Sequence, residues 1–366
     1  MSFTLPPDFA IIFLLSLPQR SGEKRIENRT FARYVEMPEN RAALLAVRDV
    51  AACVGRGKSH RTNNPLYLHG PAGTGKTHLI LALVDAVTRQ SPQLVVTVFQ
   101  AADLAKRERI GESAGELEHD FSAAKESNLV IIEDLQHLSN SRNHSDPAAS
   151  RLLVQIFDYL IVRQRQMVFT ATVGPRGLLH LPARLVSRLG CGLVVGLESM
   201  QTSSRFALLQ DKAQRRQLAV RPEVLAWLAE HLNSGRQLEG ALVQLEALAR
   251  LHGRPLDVPA VAHHFQPLVQ MNRLTVERIA QQVGSYFRIQ PRHLQSRRRY
   301  RNVLVPRQIG MYLARELTDL SLEEIGSHFG GRDHSTVLHA CRKIKVALDD
   351  DAVIAGAVQQ LHQELQ

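Results

Sequence analysis

The residues Gly70-Pro-Ala-Gly73-Thr-Gly75-Lys76-Thr77 have the types and spacing of a loop that wraps phosphate. Gly70, Gly73 and Gly75 allow positive φ and a close approach of backbone N–H groups to an anion. Lys76 is then placed to reach β- and γ-phosphates, and the Thr77 hydroxyl to ligate Mg²⁺. A short apolar run, Leu66 to His69, enters the loop, and a helical pattern from Thr77 to Val87 leaves it. That is the setting the motif needs. A second run, Leu129-Val-Ile-Ile-Glu133-Asp134, ends on two carboxylates. An acidic pair at the end of a buried strand can hold Mg²⁺ and orient an attacking water. Glu133 and Thr77 are therefore the metal candidates, with Asp134 beside them.

A different constellation lies near the C-terminus, Gly330-Gly331-Arg332-Asp333-His334-Ser335-Thr336, running on to Ile344. Two glycines suit the end of one helix, and Asp333 stands where the next needs an N-cap. In a helix-turn-helix, base contacts come from the start of the second helix. The surrounding charge agrees. Residues 271–315 hold ten arginines and a single glutamate, densest at Arg297-Arg-Arg299-Tyr-Arg301. Such arginines enter narrow minor grooves. Pro306-Arg307-Gln308 is expected to open a helix whose N-terminus, with Arg307, holds a phosphate.

The elements that must position these residues fall into three regions. Residues 1–22 read as a vestigial N-terminal segment; the apolar run 9–17 is about half the ~20 residues of a membrane span and is expected to be a packing segment or tail. Residues 23–200 alternate helical stretches with β-branched runs, as in a parallel sheet covered on both faces. From 201 to 268 strands give way to helices, the first of them starting at Pro222, with Pro255 and Pro259 punctuating the chain beyond them. Residues 271–366 are again helical, with Thr275 as one cap and Ser321-Leu-Glu-Glu324 as a capping box. The 366 residues are 44% hydrophobic and 22% charged, with a net charge of +10 and a pI of about 9.9. This balance favours a polyanionic partner, nucleic acid or acidic phospholipid. Three scattered cysteines offer neither a zinc pattern nor a disulfide framework, and a cytoplasmic location with reduced thiols is expected.

Four stretches occur in order: Asn64 to His78, Ile131 to Gln136, Arg236-Gln-Leu-Glu-Gly-Ala-Leu242 and Gly330 to Ile344. Together they resemble the bacterial chromosomal replication initiator (DnaA) family over about residues 24–366. The resemblance implies an α/β P-loop AAA+ core with a helical lid, then an all-α helix-turn-helix DNA-binding domain. It implies a slow ATPase that acts as a switch between ATP and ADP states. Arg188, in Ser187-Arg-Leu-Gly, falls at the family's arginine finger, with Arg184 one turn earlier in support, and Arg236 at the lid's sensor arginine. Arg332, Asp333, His334, Ser335 and Thr336 match the recognition helix, and Arg299 the minor-groove arginine. Implied partners are double-stranded origin DNA, single-stranded DNA near Lys106-Arg-Glu-Arg109, further copies of the chain in head-to-tail oligomers, and a replicative helicase or its loader. The same parts also suit an ATP-regulated transcription regulator that opens no origin.

The sequence departs from the family pattern in four places. Glu133 replaces the usual Asp. Thr172, with Thr170 nearby, stands at the acidic sensor position, so slower or rearranged hydrolysis is expected. The loop reads Gly-Pro-Ala-Gly-Thr-Gly and not the family's usual Gly-Gly-x-Gly-x-Gly, a change not expected to harm phosphate binding. Against the family pattern, the helicase-recruiting domain is expected to be missing or reduced to residues 1–22.

Overall fold

The computed structural model describes residues 12–13, 29–60, 62–110, 122–138, 148–178, 181–272, 274–296, 300–318 and 320–365. They form two compact units, one of residues 1–218 with 234–243 and the other of 219–233 with 244–366. The division runs through the region 201–268 that the sequence suggests as a lid.

The first unit is built on a six-stranded parallel sheet in the order β1-β3-β4-β5-β2-β6. The strands are β1 (Ile12–Phe13), β2 (Leu66–His69), β3 (Val96–Gln100), β4 (Leu129–Glu133), β5 (Gln166–Ala171) and β6 (Leu193–Gly196). Two residues of the apolar run 9–17 thus pair with β3, Ile12 opposite Thr97 and Phe13 opposite Val98. The central strands are buried along their length because helices cover both faces. Side chains alternate between those faces with period two. Leu129, Ile131 and Val168 join one core with Leu44 and Val47 of α1 (Arg41–Val54) and Leu79 and Leu83 of α2 (Lys76–Gln90). Val130, Ile132 and Phe169 join the other. There they meet Leu104 of α3 (Ala101–Ile110), Ile156 and Phe157 of α4 (Ala148–Val162), and Leu185 and Leu189 of α5 (Ala183–Leu189). Helix α6 (Thr202–Arg215) follows the sheet.

The second unit is helical. It contains α7 (Pro222–His231), the second half of α8 (Gly235–His252) and α9 (Val258–Asn272). Pro222 occupies the first turn of α7, where its missing N–H costs nothing. Pro255 and Pro259 suggest a break, yet α9 forms: Pro259 sits in its first turn, and only Pro267 lies deeper in it. Then come α10 (Val276–Phe287), α11 (Pro291–Leu294), α12 (Arg301–Leu317), α13 (Leu322–His328), α14 (His334–Asp350) and α15 (Ala352–Leu365). Their shared core holds Ile279 and Val283, Ile309 and Leu313, Ile325 and Phe329, and Val337 and Ile344. These are apolar positions at helical spacing, so burial follows from periodicity. The Thr275 hydroxyl accepts from Arg278 N, and Ser321 with Glu324 closes a reciprocal capping box. One expectation is corrected. Helix α12 begins at Arg301, not at Pro306, so Pro306 lies inside it and Arg307 is well past its first turn.

Candidate nucleotide site and candidate DNA-reading surface

The phosphate loop connects β2 to α2. Gly70 is required by close approach, since a Cβ there would lie 2.1 Å from the Leu197 carbonyl oxygen. Gly73 and Gly75 take φ of 87° and 103°. Lys76 opens α2 and is 7% exposed; its Nζ donates to the carbonyls of Gly70 and Pro71 at the loop mouth. Burial lowers its pKa to about 8; Arg236 adds to the effect, while Asp134 and Glu133 oppose it. Arg236 thus bears electrostatically on the loop. Its position follows from α8, whose first residue, Gly235, would place a Cβ 2.8 Å from the Gly73 carbonyl. Glu239, one turn on, is tied to α6 through Lys212 and Arg216, each at 3.4 Å. Arg236 itself is exposed.

Glu133 ends β4 and is 4% exposed. Its Oε2 accepts from the Gln100 amide at 2.7 Å, whereas Oε1 is buried and accepts no hydrogen bond. Burial, with the neighbouring charge of Asp134, pushes its pKa up to about 7; Gln100 and the Thr77 hydroxyl pull the other way. The next residue, Asp134, is held in a left-handed conformation (φ 57°), with its N–H donating to Thr170 Oγ1 at 3.0 Å. Gln136 links two elements, donating to Asp134 Oδ1 at 3.1 Å and accepting from Thr172 N at 3.0 Å. Thr170 and Thr172 therefore act here as anchors for the acidic turn. Gln100 is a site residue that no motif marks, because a glutamine at a strand end has no signature until register brings it opposite Glu133. Gln136 ends the stretch Ile131 to Gln136, but its bracing role needs the contacts to Asp134 and Thr172.

The donor set suits a small hard cation. Among the described residues no group of three or more His, Cys, Asp and Glu side chains could hold a metal alone. A cation bound through one carboxylate and one hydroxyl completes its shell from phosphates and water, which is the habit of Mg²⁺. Glu133 Oε1, buried and without a partner, fits that role.

Arg188 and Arg184 lie on α5, away from the loop motif in sequence, and both pair with Asp158 of α4. Arg188 Nε donates to Asp158 Oδ1 at 2.7 Å and Nη2 to Oδ2 at 3.0 Å.

In the second unit, Asp333, His334, Ser335 and Thr336 are exposed at the start of α14. Asp333 has N-cap geometry, yet its carboxylate makes no capping bond. The turn before it is fixed by Gly330, which has φ 90° and whose Cβ would lie 2.0 Å from the Gln295 carbonyl oxygen. A cleft of about 530 Å³ between α12 and α14 is lined by Arg307, Gln308, Arg332, Ser335, Thr336 and His339. Arg332 Nε and Gln308 Oε1 are buried without hydrogen-bond partners. Arg332 Nη2 donates to the Ser296 carbonyl at 2.7 Å. Arg307 differs most from expectation. It is 3% exposed, and its guanidinium donates to the carbonyls of His293, Leu294 and Ser296. It braces the chain leading into the arginine-rich run. Arg299 lies outside the described residues, as do the side chains of Lys106 to Arg109.

Comparison with known proteins agrees with both halves. The bacterial DnaA ATPase domain family matches residues 26–196, and the bacterial DnaA helix-turn-helix family matches residues 276–344. A chromosomal replication initiator protein DnaA from Ralstonia pickettii is 33% identical over 377 aligned residues, covering 100% of this chain and 69% of the relative. Domain III of the Thermotoga maritima replication initiation protein DnaA superposes with a TM-score of 0.59 at 25% identity, covering 66% of this chain and 97% of that one. A replication initiator DnaA bound to AMPPCP and single-stranded DNA matches the fold over 93% of this chain and 98% of its own, with a TM-score of 0.54 and 24% identity. The chain belongs to the bacterial DnaA family of chromosomal replication initiators.

Proposed function

We propose that this protein is an ATP-dependent initiator of chromosomal replication, binding duplex sites at the origin and assembling on them in its ATP state. The observation that carries the reading is the pairing, in one chain, of a complete phosphate loop beside a buried carboxylate with an unpartnered oxygen and an exposed recognition-helix start. Gly70, Gly73 and Gly75 shape the loop around the phosphates, and Lys76 exchanges its carbonyl partners for the β- and γ-phosphates. Thr77 and Glu133 hold Mg²⁺, which neutralises charge on the phosphates when bound. Asp134, braced by Thr170 and Gln136, orients the attacking water. Arg236 senses the γ-phosphate of its own subunit, and Arg188 that of the neighbouring one. Such a head-to-tail contact does not close on itself and can extend along DNA.

At the other end, His334, Ser335 and Thr336 read base edges, while Arg332 and Asp333 set the start of the helix. Arg299 enters the minor groove. Single-stranded origin DNA, a replicative helicase or its loader, and acidic phospholipid are further partners of the same reading, in a cytoplasmic setting. Among the described residues no helix is long and apolar enough to cross a membrane. The test is a footprint on origin DNA with ATP and with ADP, for wild type and Arg188→Ala. An extended ATP-specific footprint that the substitution removes is expected, with isolated strong sites still occupied. Equal footprints in both nucleotides would leave a DNA-binding protein without the switch.

A further inference from the structure

Asp158 is a residue that the phosphate-loop and helix-turn-helix motifs leave out, yet it pairs with both Arg184 and Arg188 on the core. It sits on α4, one helix away from α5, which carries Arg184 and Arg188. Its two carboxylate oxygens face the Nε–Nη2 edge of Arg188 at 2.7 and 3.0 Å. The remaining terminal nitrogen, Nη1, donates to the Arg184 carbonyl at 3.3 Å. All three nitrogens of the Arg188 guanidinium are therefore engaged within one chain. Arg184 adds a second, longer contact to Asp158 Oδ2 at 3.4 Å.

A guanidinium presents one planar fork to a carboxylate or a phosphate, and the two anions compete for the same edge. Bound to Asp158, Arg188 is also neutralised, which weakens its pull on a distant polyanion. The Asp158 carboxyl is held below the usual carboxylate range, first by the Arg188 hydrogen bonds, so it stays ionised and competent to compete. The pair is only partly buried, with Asp158 46% and Arg188 24% exposed, so it can open without stranding a charge in the interior.

We propose that Asp158 is an intramolecular stand-in for the neighbour's γ-phosphate: it holds Arg188 in the unassembled protein and must release it before the ATP-bound subunits can join. The proposal rests on the reading that Arg188 contacts nucleotide in the adjacent subunit. It makes the threshold for assembly a property of each chain, set by a contact that ATP in the neighbour has to outcompete.

The test is assembly of the full chain followed by sedimentation over a range of protein concentrations, with ATP or ADP, for wild type, Asp158→Asn, Asp158→Glu and Arg188→Ala. Asparagine keeps the shape and removes the charge. It is expected to lower the concentration of half-maximal ATP-dependent assembly about three- to fivefold, the scale of one partly exposed ion pair, and to change nothing with ADP. Glutamate keeps the carboxylate and is expected to stay near wild type. If Asp158→Asn assembles at the same or a higher concentration while Arg188→Ala abolishes assembly, Asp158 is inert or aligns the arginine, and the proposal is wrong. If Arg188→Ala assembles normally with ATP, the parent reading of Arg188 fails and takes this inference with it. A melting curve for each variant separates these outcomes from misfolding.

Discussion

At the phosphate loop, Lys76, Glu133 and Thr170 are buried, and the acidic turn is pinned by hydrogen bonds from Gln100 and Gln136. At the start of α14, the residues proposed to read DNA are exposed, and Asp333 leaves its capping bond unmade. The first site must bind a small flexible anion and control water, so its polar groups are pre-oriented in a low-dielectric setting. The second, in the proposed reading, meets a rigid polymer that brings its own surface; there the frame is buried and the candidate reading groups project. Arg307 belongs to that frame: its charge sits in the interior, bonded to three carbonyls, while Ser335 and Thr336 stand in the open. Burial therefore marks chemistry in one unit and scaffolding in the other.

The contrast is sharpest if each end is broken separately. Lys76→Ala is expected to weaken ATP binding about 100-fold or more, since it truncates the buried cation facing the phosphates. Binding to a single duplex site should be unchanged. Nucleotide titration and gel shift read the two, and a loss in both would mean that the ends are not independent.

Arg307→Ala tests the frame. It removes the Arg307 donor from the Leu294 carbonyl and opens a void, while the carbonyls of His293 and Ser296 keep bonds from Ser296 and Arg332, for an expected loss of about 2–3 kcal/mol in the stability of the helical unit. Thermal unfolding measures it. Were Arg307 an ordinary phosphate contact, the melting curve would hold and the salt dependence of DNA binding would fall by about one unit of slope.

Glu133 gives the nucleotide end a pH signature. Its folded carboxyl keeps its proton up to about pH 7, against about 4.5 when unfolded. The folded form binds the extra proton in that interval, so this group's contribution is full below about 4.5 and is lost as pH rises through 7. Glu133→Gln removes the titration. At pH 8 the nucleotide-free variant is expected to be more stable than wild type by about 2 kcal/mol. His78, whose pKa burial lowers to about 4, acts in the opposite sense between about pH 4 and 6.5. Denaturant titrations from pH 6.5 to 8 lie above His78, and Lys76, lowered to about 8, begins to titrate there in both proteins. The difference between the two curves therefore reads the carboxylate, and parallel curves would refute the assignment.

The smallest effects belong to the exposed reading residues. Ser335→Ala or His334→Ala should cost about 1–2 kcal/mol in site affinity and relax preference at one base position. Competition with altered duplexes is the measurement. A uniform loss across all sequences would move these residues from base reading to backbone contact.

Much of this was legible before folding, for identifiable reasons. Gly70 to Thr77, Thr275 and Ser321 with Glu324 act through neighbours a few residues away, so their spacing states their geometry. The continuous apolar run Leu129 to Ile132 marked a strand covered on both faces, and the stripes of α10 and α14 marked their buried faces by period. Arg307 misled because a proline and an arginine read locally as a helix start. Helix α12 runs through Pro306, and the arginine's partners come from the preceding turn, 11 to 14 residues away. Gln100 needed the β3–β4 register, and Asp158 the packing of α4 against α5.

The order of residues thus determined which chemical groups exist, their local conformation and the pattern of apolar faces, because hydrogen-bond caps, glycine turns and periodicity span only a few positions. The tertiary structure decided which charges are neutralised, buried or left facing solvent. Electrostatic energy depends on distance and dielectric through space, and chain separation carries neither.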